Sequence, residues 1–135
     1  PQPRPRSRSP SAGGSASALS GYSVMTIVIA LTVVYFVVHY MFASLTAHTT
    51  ALLPVLLTAA IAVPEMPVKL ISLLFCYTLG LMGIISPYAT GPGPIYYGSG
   101  YVSRKDFWRL GLIFGAIYLA VILLIGVPYL RFYLG

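Results

Sequence analysis

Two short stretches of this chain carry polar groups within otherwise apolar surroundings, and any chemistry has to come from them. The first is Ala43-Ser44-Leu45-Thr46-Ala47-His48-Thr49-Thr50, with four hydroxyls and one imidazole. The second is Ser86-Pro87-Tyr88-Ala89-Thr90-Gly91-Pro92-Gly93-Pro94, where three prolines and two glycines rule out a regular helix. Hydroxyls, freed backbone N–H and C=O groups and helix N-termini can hold an anion or an ion inside a membrane, where little water competes. That chemistry is binding.

Catalysis has no basis in these residues. Glu65 and Asp106 are the only acids and both fall in turns, so no carboxylate pair and no Ser/His/Asp triad can be assembled. No metal-ligand spacing is present either, and the expectation is a protein that is not an enzyme and has no cofactor. Gly98-Ser99-Gly100 lacks the Lys of a phosphate loop. Cys76 has no second cysteine and reads as packing in an apolar run. His39 reads as structural, since on a continued helix it faces a different side from His48.

The elements that position the two polar stretches are membrane elements. Of 135 residues, 58% are hydrophobic and only 7% charged, a balance that would leave a soluble domain with large exposed apolar patches. No Asp, Glu, Lys or Arg occurs in residues 21–64, 70–103 or 110–130, and each run reaches the roughly 20 residues that cross a bilayer. The net charge of +6 comes partly from Arg4, Arg6 and Arg8; the other basic residues flank apolar runs, so nucleic acid is not implied.

The spacing predicts an all-α integral membrane fold. Residues 22–42 form one apolar helix, and the apolar stretch 51–63 after the first polar cluster is too short to span and suits a re-entrant half. Residues 22–62 therefore read as a helical hairpin. After the breaker at 63–67, residues 68–101 read as a broken helix interrupted by the proline-glycine joint, and 106–130 as a terminal span that Ser103 caps and Asp106 supports. Residues 1–21 are rich in Pro, Ser, Gly and Arg without an acid and read as a disordered tail; a transit peptide and a fusion scar share that composition.

Arg104, Lys105 and Arg109 cluster at one end of the last helix, which the positive-inside rule places in the cytoplasm. Trp108, Tyr129, Phe132 and Tyr133 lie near its two ends, where aromatic rings anchor helices at the interface.

The order of hairpin, polar tip, broken helix, basic turn and final helix resembles the C-terminal end of the divalent anion:sodium symporter family. That family includes citrate/succinate and tartrate/succinate exchangers and 2-oxoglutarate/malate translocators. FASLTAHTTALLP (residues 42–54) sits where the family places a Ser-Asn-Thr motif on its second re-entrant hairpin, and ATGPGPIYYGSGYVSRKDFWRLG (residues 89–111) matches its unwound joint and basic turn.

The resemblance implies a carrier of di- and tricarboxylates built from two inverted repeats, of which this chain is the end of the second; the N-terminal repeat would be a missing partner. It also implies an elevator-like transport domain, a homodimer, and a bacterial inner membrane, with an organelle inner membrane as the alternative. Ser44, Thr46, Thr90, Gly91 and Pro92 are then expected to bind substrate, with an ion site near Ala89. Leu45 replaces the family's Asn and removes an oxygen that a hard cation needs, so sodium coupling is not expected. His48 as an imidazolium would supply positive charge instead, which predicts anion exchange. Plain alternatives stand beside each assignment: interhelical hydrogen bonds for Ser44 and Thr46, a kink at the joint, a neutral packed His48. At the level of the whole chain the alternative is a small non-transporting assembly subunit.

Overall fold

The computed structural model describes residues 22–134, and residues 1–21, set apart above as a tail, lie outside the described residues. Every regular element among the described residues is helical, in agreement with the all-α expectation. Helix α1 (Val24–Val38) starts at Ser23, whose hydroxyl accepts from the Thr26 amide at 3.2 Å. Its last turn tightens into a 3₁₀ segment, His39–Met41. Together these residues form one candidate membrane span, Val24–Met41.

Helix α2 (Leu45–Ile61) follows at once. The first polar cluster, read from sequence as a tip preceding a short apolar stretch, is in fact mostly helical. Ser44 caps it, and the threonines satisfy themselves on their own helix: Thr49 donates to the Leu45 carbonyl at 2.8 Å and Thr50 to the Thr46 carbonyl at 2.6 Å. This back-bonding lets a hydroxyl sit in a helix without a distant partner.

Helix α3 (Val68–Leu81) is the centre of the bundle and packs against both α1 and α2. Its buried residues, Leu70, Ile71, Leu74, Phe75 and Thr78, recur at helical spacing and form one stripe. They meet Val28 and Tyr35 of α1 in the core. A 3₁₀ turn, Met82–Ile84, ends α3 and leads into the irregular joint, after which α4 (Gly93–Gly98) is a helix of under two turns.

Helix α5 (Arg104–Val121) is capped as expected, the Ser103 hydroxyl accepting from the Asp106 amide at 3.2 Å. It crosses the joint at Gly111, where an added Cβ would lie 2.9 Å from the Ile84 carbonyl oxygen. Only glycine permits that approach, the small-residue contact on which membrane helices rely. Beyond Val121 the helix widens into a π segment, Ile122–Gly126, then resumes as α6 (Val127–Leu134). The whole stretch Arg104–Leu134 is the second candidate span and is longer than the predicted 106–130.

Pro128 accounts for the widening. It has no N–H to give and its ring crowds the carbonyl of Leu124, four residues back. In the π segment the Val127 amide reaches back to Ile122 and relieves that clash. Pro128→Ala is expected to restore a regular ladder and to raise the melting temperature of the detergent-solubilised chain, since an interior proline costs up to about 3 kcal/mol. Unchanged melting together with an unchanged amide-exchange pattern around Leu124 would assign the widening to packing instead.

Candidate functional site

The tip of α2 and the joint after α3 come together in space. Ser44 caps the Ala47 amide at 3.4 Å, which leaves the Leu45 and Thr46 amides of the first turn without a partner inside the helix. Leu45 reaches across to the joint: a Cβ built on Gly83 would lie 3.6 Å from its Cδ1 and 2.6 Å from Thr90 Cγ2. Gly83 is thus the gap through which tip and joint touch.

The joint itself is two tight turns. The Ala89 amide bonds the Ser86 carbonyl at 3.2 Å and the Gly93 amide bonds the Thr90 carbonyl at 3.2 Å. Pro87 gives no donor and interrupts the ladder, whereas Pro92 and Pro94 sit at the start of α4, where a missing N–H costs nothing. Gly93 packs so closely that a Cβ would lie 2.7 Å from the Pro87 carbonyl oxygen and 3.2 Å from the Thr90 hydroxyl. Ala89 is buried, Thr90 is half-buried, and Gly91 and Pro92 are exposed.

The predicted site residues fall into two sets. Thr46, Gly91 and Pro92 are exposed and Ser44 is half-buried, while His48 and Ala89 are buried. A helical step of two residues turns His48 to the side opposite Thr46, whereas Leu45 and His48, three apart, share a face. Thr90 and Leu45 bridge the sets.

His48 is fully buried in an aromatic enclosure. Its ring centroid lies 4.5 Å from Tyr35, 4.9 Å from His39 and 5.0 Å from Phe42. The contact with His39 corrects the expectation that this residue is remote from His48. The expectation assumed one continued helix; the chain instead reverses at residues 42–44 and brings the two rings edge to face. The imidazole pair thus joins the end of α1 to α2. Both nitrogens of each imidazole, the Tyr35 and Thr78 hydroxyls and the Ser86 hydroxyl are buried and have no hydrogen-bond partner among the described residues. Sequence reasoning missed the meeting of Tyr35 and His39 with His48 because it joins separate elements; Gly83 and Gly93 carried a signal only as glycines beside the break.

The family described as "Sodium:sulfate symporter transmembrane region" matches residues 12–134, which takes in α1 to α6, the tip and the joint. The chain belongs to this family. The resemblance read from the two irregular motifs is thereby confirmed, and the chain is part of a membrane transporter family rather than an enzyme family. The match begins at residue 12, within the stretch set apart by composition.

Among family members, the chain is 48% identical over 119 residues to the citrate/succinate antiporter of Escherichia coli (strain K12), covering 88% of this chain and 24% of that protein. It is 50% identical over 111 residues to the L-tartrate/succinate antiporter of the same strain, covering 82% and 23%. The L-tartrate/succinate antiporter of Shigella boydii serotype 4 (strain Sb227) matches with the same identity and coverage. The chain therefore spans about a quarter of the length of these relatives.

Proposed function

We propose that this chain forms the C-terminal part of a secondary transporter that exchanges di- and tricarboxylates across a bacterial inner membrane. The observation that carries the reading is the meeting of the α2 tip and the joint at Leu45, Gly83 and Thr90, in a chain about half identical to two carboxylate antiporters. In this reading α1 and α2 are the re-entrant hairpin, and α3, the joint and α4 are the broken helix.

One substrate carboxylate lies against the Ser44 hydroxyl, the Thr46 hydroxyl and the free N–H groups of the first turn of α2, where the helix dipole favours negative charge. Thr90, Gly91 and Pro92 line the other side. These groups are exposed or half-buried here, and the rest of the carrier, an inverted N-terminal repeat, closes over them. The intact carrier is a homodimer with an elevator-like transport domain. His48 lies behind Leu45, on its face of the helix, and its protonation on anion binding supplies the positive charge that sodium would otherwise bring.

The test is a chimera in which residues 12–135 replace the matching quarter of the Escherichia coli citrate/succinate antiporter. Reconstituted in vesicles loaded with succinate, it is expected to take up citrate in sodium-free medium, at a rate that added sodium changes by less than about twofold. Loss of all exchange in a folded chimera would overturn the carrier reading. Sodium-driven uptake that persists unchanged after His48→Ala would overturn the role of His48.

A further inference from the structure

A groove of about 460 Å³ runs between α1 and α5, walled by apolar side chains that include Phe36, Val37, Leu112, Gly115 and Leu119. At one end it is closed by aromatics: Tyr40 packs on Trp108 at 5.6 Å between ring centroids, and Tyr88 meets Trp108 at 6.1 Å. The α5 face that lines it continues past Trp108 into Arg104, Lys105 and Arg109. Arg104 is four residues before Trp108, Lys105 is seven before Leu112, and Arg109 is three before Leu112, all spacings that share a helix face. All three cations are exposed, and Asp106, the acid beside them, is held by the Ser103 hydroxyl at 2.6 Å.

The depth of the groove is that of one leaflet. The uncharged run 110–130 covers the hydrocarbon core, which puts Trp108 and the three cations at its edge. From Trp108 to Leu119 the helix rises roughly 16 Å, about half of the roughly 30 Å core. We infer that this groove is a binding site for an anionic phospholipid, with one acyl chain along α5 and the headgroup phosphate on Arg104, Lys105 and Arg109. Arginine suits the task because its planar fork pairs with phosphate in a bidentate manner.

Trp108 is the only tryptophan in the chain, so its fluorescence reports this site alone. The 135-residue chain is reconstituted in phosphatidylcholine vesicles doped with brominated-acyl phosphatidylglycerol or brominated-acyl phosphatidylcholine. Brominated phosphatidylglycerol is expected to quench Trp108 at a mole fraction at least about fivefold lower, the factor that one basic residue near a bilayer contributes. Arg109→Gln is expected to remove most of that preference and Arg109→Lys to keep most of it. Ala116→Phe, which fills the groove with the charges intact, is expected to abolish it, with circular dichroism confirming unchanged helix content. Equal quenching by the two lipids overturns the site. A preference that survives both Ala116→Phe and Leu112→Phe overturns it too, because diffuse attraction to the basic cluster would then suffice.

Discussion

Gly93→Ala is expected to lower citrate/succinate exchange by the chimera on the order of 100-fold while leaving its helix content intact. The reason is the position of the new methyl group, 2.7 Å from the Pro87 carbonyl oxygen and 3.2 Å from the Thr90 hydroxyl. The first of these neighbours is a backbone atom, which moves only with the chain. Relief has to come from opening the joint, and overpacking of this kind costs about 1–3 kcal/mol. Opening the joint moves Thr90, which lies beside Gly83, as does Leu45 of the α2 tip. A shift of about 1 Å at a binding constellation is enough for a loss of that order. Gly98→Ala is the control, since a Cβ there meets nothing within 4 Å, and it is expected to exchange at close to the unsubstituted rate. Equal rates for both variants would mean that the closeness of the joint has no part in transport. Exchange by itself is measured as labelled citrate uptake into succinate-loaded vesicles, and helix content by circular dichroism of the same preparation.

The sequence made the punctuation of this fold readable and left its contacts obscure. Prolines 87, 92 and 94 act through their own backbone, so the unwound joint follows from local chemistry, although Pro94, read as part of the break, falls in the first turn of α4. The Ser103 cap with Asp106 is equally local. The start of α2 at Leu45 is hidden because five polar residues among the eight of 43–50 resemble a loop, whereas Thr49 and Thr50 spend their hydroxyls on their own helix. The last helix is read as ending at 130 because the uncharged run stops before Arg131, whereas the helix continues to Leu134, and the π segment that absorbs Pro128 inside it has no signature in hydrophobic period. Gly111 stood in the sequence as a small residue in a helix; only the crossing of α5 over Ile84 gives it a purpose. The pairing of His39 with His48 was out of reach, since it depends on a chain reversal between them and no periodicity encodes which rings then meet.

His48→Leu is expected to leave the chain at least as stable as before and yet to lower exchange by roughly 10- to 100-fold, the loss that follows from a charge-assisted hydrogen bond of about 1.5–3 kcal/mol. The first half of this expectation rests on an unusual core. Tyr35, His39, His48, Thr78 and Ser86 bury seven polar atoms that have no hydrogen-bond partner among the described residues. Each such atom costs about 1–3 kcal/mol, and replacing an unsatisfied polar group by an apolar one of similar size is neutral or stabilising. Leucine removes two of the seven atoms and still fills the space between Tyr35, His39 and Phe42. A core chosen for stability alone would not hold these groups, and Tyr35 and His39 lie against His48 behind the α2 tip, which is an argument for use. The second half follows from that use, because leucine cannot take up the proton that balances a bound dicarboxylate. Thermal unfolding of the detergent-solubilised chimera, read beside its exchange rate in sodium-free vesicles, separates the two halves. A melting temperature that falls while exchange is preserved would assign His48 to packing and leave the anion to the hydroxyls and amides of the tip.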